Sequence, residues 1–211
     1  GGRSWDLIGF QNRMARPIAI GEQEREYNVI YAMHVGDPST GLHISYDNGN
    51  NWSQKGIYCE VLTVDENIPS NVYCADDDGT LRVTYDNGHT WNAFPALKEI
   101  TITAIYIDHY DNEERIYVAG EKLHVSSDGG SSWKEIGAGL GSTRAELKIL
   151  PGDSSKMFLS TYFGAWDFQC SLFRSLDGGI SWSKLFSGGY LSWCGPAIDG
   201  ENTLYVIHNN I

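Results

Sequence analysis

The amino-acid sequence predicts an all-β chain assembled from repeated four-stranded antiparallel units. Three observations predict it. The pattern Ser/Thr-x-Asp-x-Gly-x-x-Trp occurs four times: "SYDNGNNW" at 45–52, "TYDNGHTW" at 84–91, "SSDGGSSW" at 126–133 and "SLDGGISW" at 175–182. Between these boxes run short alternating apolar and polar stretches, rich in β-branched and aromatic residues and broken by Gly, Asn and Asp, as strands and hairpins are. No stretch longer than about ten residues carries a helical period.

The repeat sets the organisation, because self-similarity at a period of roughly 20–50 residues marks a repeat architecture. The box tryptophans Trp52, Trp91, Trp133 and Trp182 are spaced 39, 42 and 49 residues apart, and Trp5 of "GGRSW" precedes Trp52 by 47. Each unit opens on an alternating stretch: "RPIAI" at 16–20, "EVLTV" at 60–64, "ITAIYI" at 102–107 and "AELKIL" at 145–150. After a polar turn comes a second: "NVIYAM", "NVYCA", "RIYVAG" or "KMFLST". A third ("LHISYD", "LRVTYD", "LHVSSD", "LFRSLD") ends in the box, and the box Trp opens a fourth, such as "WKEI". Four short antiparallel strands at this spacing are the signature of a β-propeller blade. Residues 1–211 then read as a single propeller segment. Residues 1–15 form the outer strand of a preceding blade, blades occupy 16–58, 59–100, 101–143 and 144–192, and 193–211 begin another. A ring must close to remove its edges, so a chain that opens inside one box and stops before a third strand is expected to be a segment of a larger ring.

The four boxes resemble the Asp-box, or BNR, repeat of sialidases, xyloglucan-active glycoside hydrolases, sortilin-type receptor propellers and a photosystem assembly factor. The resemblance covers essentially the whole chain. It implies a β-propeller of four-stranded Asp-box blades, with each box on the hairpin joining third and fourth strands, away from any active site. The residues themselves suit that place. Asp47, Asp86, Asp128 and Asp177 can accept hydrogen bonds from turn amides. Gly49, Gly88, Gly130 and Gly179 can supply a positive φ. Trp52, Trp91, Trp133 and Trp182 can bury an apolar face between sheets and donate N–H to a carbonyl. One active site needs one set of carboxylates, not four equivalent copies, so the boxes are read as staples.

Composition narrows the function classes. A formal net charge of -12 disfavours nucleic acid or an anionic membrane as the main partner. No apolar run approaches the roughly 18 residues of a membrane helix, so no membrane insertion is expected in this segment. Cys59, Cys74, Cys170 and Cys194 lack CxxC spacing; an even count suits one or two disulfides or buried thiols. No EF-hand-like ligand spacing appears, and neither metal nor cofactor is expected. "NNWS" makes Asn51 a formal glycosylation sequon inside a box turn.

In a four-stranded blade the second-to-third-strand loops and the blade-to-blade loops share one face. The first-to-second-strand loops ("GEQERE", "DENIPSN", "DHYDNEE", "PGDSSK") form a polar, mostly acidic rim on the other. On the former face the longest insertion is "TYFGAWDFQC" at 161–170, with Tyr162, Phe163, Trp166 and Asp167; "GGYLSWC" at 188–194 adds Tyr190 and Trp193. Together they are candidate ligand-binding residues, a platform for sugar rings with Asp167 facing hydroxyl groups. Equally, blade-top aromatics can simply cover the sheet beneath. Cys170 and Cys194 flank the two loops and could clip them together. His34, Asp37, Asp76, Asp77, Asp78 and Arg144 project onto the same face, with Arg13 nearby; "DDDG" at 76–79 offers carboxylates to a glycosidase mechanism or forms an acidic tight turn. Sialidases clamp a sugar carboxylate with three arginines behind an Arg-Ile-Pro type motif. This chain has eight arginines and only "ARPIAI", so that site is poorly matched. The catalytic contexts of the xyloglucan hydrolases are not recognisable either, and no catalytic residue is carried over. The expectation is an extracellular or cell-surface propeller that binds or hydrolyses a polysaccharide or other glycan through its aromatic loop face. The alternative is a non-catalytic propeller for a protein partner or a structural role, like the sortilin and assembly-factor relatives.

Overall fold

The computed structural model describes residues 14–24, 27–35, 41–76, 78–94, 97, 100–110, 113–120, 122–137, 144–150, 153–163, 169–187, 196–198 and 204–206. Among them every regular element is a β-strand. The first sheet comprises β1 (Met14–Glu24), β2 (Tyr27–Val35), β3 (Gly41–Ser45) and β4 (Ser53–Gln54). The second comprises β5 (Val61–Val64), β6 (Val72–Ala75), β7 (Leu81–Thr84) and β8 (Asn92–Phe94). A third holds β9 (Ala104–Tyr110), β10 (Glu113–Ala119), β11 (Leu123–Ser126) and β12 (Lys134–Ile136). The fourth holds β13 (Arg144–Leu150), β14 (Asp153–Phe163), β15 (Gln169–Ser175) and β16 (Ser183–Ser187). β17 (Pro196–Ile198) and β18 (Leu204–Val206) pair separately. Each sheet is an antiparallel meander in sequence order.

Two compact units divide the chain, Gly1–Ala96 and Leu97–Ile211. Within each, consecutive sheets lie against one another, and their first strands approach: β1 and β5 in one unit, β9 and β13, then β13 and β17, in the other. Burial follows. β6 is buried along its whole length and most of β10 is too, because both faces of a central strand are covered. The outer strands β4 and β16 are largely exposed. In the first unit Tyr31, Met33, Leu42, Ile44 and Val72 build the core, with Trp91 packed against it. In the second the core is Tyr117, Leu123, Ile136, Leu147, Met157 and Leu159, against which Trp182 packs. Each of these two indoles therefore closes the seam between its own sheet and the preceding one.

Two expected polar loops are tighter than the sequence suggested. Glu24 pairs with Tyr27 and Tyr110 with Glu113, so "GEQERE" and "DHYDNEE" are mostly strand. Acidic residues do not bar backbone pairing where a hairpin end reaches water, as the exposed Glu113 does. A buried disulfide joins Cys59, between β4 and β5, to Cys74 on β6.

Candidate functional site

The box carboxylates come first, because they are the most repeated polar groups in the chain. In all four, the Ser or Thr hydroxyl donates to Asp Oδ1 at 2.7–2.8 Å and accepts the box glycine N–H at 2.8 Å. The Trp indole donates to the carbonyl of that glycine at 2.9–3.2 Å. A third partner is absent from the eight-residue pattern as read from sequence. The residue four after Asp (Asn51, Thr90, Ser132, Ser181) gives its N–H to Oδ1 at 2.7–2.9 Å and its side chain to Oδ2 at 2.5–2.6 Å. The residue between Asp and Gly also has positive φ: 58° at Asn48, 57° at Asn87, 68° at Gly129 and 71° at Gly178. Two successive left-handed residues make a type I′ turn, which admits Asn or Gly and little else. These bonds hold Asp128 and Asp177 at about 2, well below the ordinary carboxylate value, chiefly through the hydroxyls of Ser132 and Ser181. Asp86, despite partial desolvation, is held at about 2 by Thr90 and Thr84, and Asn51 lowers Asp47. All four carboxylates are therefore anionic turn clasps.

"DDDG" also folds as a tight turn. Asp76 Oδ1 and Asp78 Oδ1 both accept the Thr80 N–H, at 2.9 and 2.8 Å, and Asp76 Oδ2 meets Arg82 Nη1 at 2.5 Å. Burial, reinforced by Asp78, raises Asp76 above its ordinary value against the opposing pull of Arg82 and the Thr80 amide. Asp78, bonded to Asp76 and Thr80, is held at about 2. The pair thus has an acid and a base member, but Thr80 and Arg82 bind both into the turn.

Of the remaining residues expected on that face, His34 is buried, edge-on to His43 with ring centroids 5.8 Å apart. Tyr162 and Phe163 end β14, where they pair in register with Cys170 and Gln169 of β15. Trp166, Asp167, Tyr190 and Trp193 lie outside the described residues, as do Arg13, Asp37, Asp77 and Cys194. Arg144 begins β13. Cys170 is buried and disulfide-bonded, and it packs against Phe186.

Sequence reasoning missed a cleft of ≈ 350 Å³ in the second unit, walled by β10–β12 on one side and the turn of the fourth box on the other. Arg115, Tyr117 and Lys134 line it from the sheet, Asp177, Gly178 and Ile180 from the turn. Arg115 donates to Ser154 Oγ at 3.2 Å and Glu113 Oε2 at 3.3 Å. Burial raises Asp108 above its ordinary value, and the nearby Arg115 pulls it back.

Comparison with known proteins adds the fold. A family model described as BNR/Asp-box repeat matches residues 173–184, the fourth box and its flanks. The GH74 enzyme of Niastella koreensis is similar in structure, with a TM-score of 0.60 at 16% identity, over 79% of this chain and 28% of that one. YCF48 bound to D1 peptide is similar too, with a TM-score of 0.55 at 18% identity, over 87% of this chain and 57% of that one. The fold is that of an Asp-box β-propeller. No curated protein matches by sequence. The chain spans 28% of the enzyme and 57% of the YCF48 chain, and at these identities the likeness is one of fold. In propeller terms each four-stranded sheet is a blade, and the cleft opens between the third and fourth blades at their Asp-box end.

Proposed function

We propose that the protein is an extracellular glycan-binding propeller that takes its ligand on two aromatic loops, the one between β14 and β15 and the one at 188–194 between β16 and β17. The hairpin bearing the first loop carries the conclusion. β14 and β15 run for 11 and 7 residues, against 4 and 4 for β6 and β7 of the second blade. Their ladder continues to Phe163 and Gln169, so the aromatic insertion starts from paired backbone. At its neck, opposite Tyr162, stands the buried, disulfide-bonded Cys170. Rooting a loop on paired backbone lowers the entropy lost when it takes a ligand. The structural likeness to a GH74 enzyme supports a glycan ligand. Binding is favoured over hydrolysis because the Asp76–Asp78 pair is engaged by its own turn. The Cys59–Cys74 disulfide supports an oxidising, extracellular setting.

Glycan-array profiling of the parent chain with Trp166→Ala and Trp193→Ala tests this. The parent is expected to bind a polysaccharide, and each substitution to weaken it roughly tenfold, the loss of one stacked ring. Undiminished binding in both variants removes the two loops as the site. A parent that binds no glycan turns the function toward a protein partner.

A further inference from the structure

The four boxes are alike in their internal bonds and unlike in what stands beside them. Aligned on Asp, the residue before it is Tyr46, Tyr85, Ser127 or Leu176, and the residue three after it is Asn50, His89, Ser131 or Ile180. Between the first and second blades, Tyr46 of one box stacks on His89 of the next, with centroids 4.7 Å apart and rings within 10° of parallel. Lys55 Nζ lies 5.3 Å from the centre of the Tyr46 ring. Between the third and fourth blades the corresponding pair is Ser127 and Ile180, with Ile136 in place of Lys55. A stacked ring pair is replaced there by a hydroxymethyl and an aliphatic side chain, and the cleft opens at that place.

Its walls differ in charge as well. From the strand registers, Arg115 occupies the position of the buried Val29, and Lys134 that of Ser53. The cleft thus combines two cations with an apolar floor of Tyr117, Val125 and Ile136. On its rim Ile180 is 72% exposed, and Leu176 on the same turn is 56% exposed. Large aliphatic side chains exposed beside a cleft mark a protein-contact surface. Lys134 and Arg115 are the cations of the cleft, Arg115 sharing its charge with Glu113 at 3.3 Å, and both offer N–H donors to an anionic group. Asp177, also on the wall, directs both carboxylate oxygens to Ser175 and Ser181 of its own turn. A volume of ≈ 350 Å³ suits one side chain with its flanking peptide.

We propose that this cleft docks a peptide segment presenting one apolar side chain next to a carboxylate. The apolar side chain seats between the floor and Ile180, and the carboxylate meets Arg115 and Lys134. This site is separate from the glycan loops and stands or falls independently of them.

NMR on the full chain with labelled backbone, indole and methyl groups reads it directly. The probes are acetyl-Gly-Phe-Asp-Gly-amide, its Phe-Asn and Ser-Asp counterparts, and glucuronic acid. The Phe-Asp peptide is expected to shift the Trp133 indole and the Ile136 and Ile180 methyls saturably, and the Asn and Ser counterparts to bind about tenfold more weakly. Ser127→Tyr combined with Ile180→His rebuilds the stacked pair of the first junction and should abolish the shifts. Lys134→Ser, at an exposed position that is serine in the first blade, should weaken the Phe-Asp peptide toward the Phe-Asn value, and it keeps the test open if the double variant fails to fold. No saturable shift with the Phe-Asp peptide, equal binding of the Asn peptide, or parent-like binding by both variants overturns the proposal. So does glucuronic acid occupying the cleft when the peptide does not, which would make it an acidic-sugar site.

Discussion

Gly88→Ala is expected to destabilise the protein by about 3 kcal/mol and lower the melting temperature by roughly 6–12 °C. Two costs combine. At φ 80° an L side chain adopts the left-handed region, at about 1 kcal/mol or somewhat more. A methyl group there would also stand 2.4 Å from Ile44 Cδ1 and 3.1 Å from Tyr31 Cε1. Both neighbours are fully buried in the seam between the first two blades, so neither has room to swing away. Gly56→Ala separates the costs: its φ is 65°, but nothing lies within 4 Å of the new methyl, and only about 1 kcal/mol should be lost. Differential scanning calorimetry of both variants decides the matter. Equal losses would show that the box glycine serves its turn alone and not the packing of one blade on the next.

That seam was legible in the sequence because tryptophan, glycine and aspartate recur at fixed offsets, and each has a physical job that few other residues do. Trp91 and Trp182 pack against the cores and donate to glycine carbonyls, as their large apolar face and single donor predict. Less visible were the positions that accept several residue types. Asn51, Thr90, Ser132 and Ser181 perform one task with three different side chains, so no single letter recurs. Asn48, Asn87, Gly129 and Gly178 likewise share a backbone conformation rather than an identity. Strand ends are less visible where acidic residues stand, because a polar run signals a loop although the backbone pairs through it at Glu24–Tyr27 and Tyr110–Glu113.

The candidate sites were legible to a lesser degree. The aromatic insertion stands out by length, and β14 and β15 do extend to meet it, but Trp166, Asp167, Tyr190 and Trp193 are outside the described residues. "DDDG" left a carboxylate pair and a tight turn as alternatives. The Thr80 amide and Arg82, one inside the turn and one on the next strand, made it the turn. The cleft gave no motif at all. Its cause is the small size of Ser127 and the missing ring at Ile180, which show only when the box positions that are not part of the pattern are compared between repeats. A repeat advertises its common residues, whereas a site arises where one copy departs from the others.

The same clasps make the fold sensitive to acid. Asp86, Asp128 and Asp177 sit at about 2 in the folded chain against an ordinary value of 3.8, and Asp47 is lowered as well. Between those values the unfolded chain binds more protons than the folded one, so stability rises with pH through that window. The contribution is complete above 3.8 and is lost as pH falls toward about 2, at four hairpins together. Asp76 and Asp108, raised by burial, act the other way: their folded forms hold protons longer, and stability falls as pH rises past 3.8. Melting temperature plotted against pH should therefore pass through a maximum on the acidic side and drop steeply below it. Asp128→Asn should melt below the parent at pH values near 6, show a shallower acid limb, and converge on the parent as pH approaches about 2, where the native carboxylate is itself neutralised. Parallel curves for parent and variant down to that pH would mean that protons enter the fold elsewhere, and that the box aspartates hold their turns by shape without the help of charge.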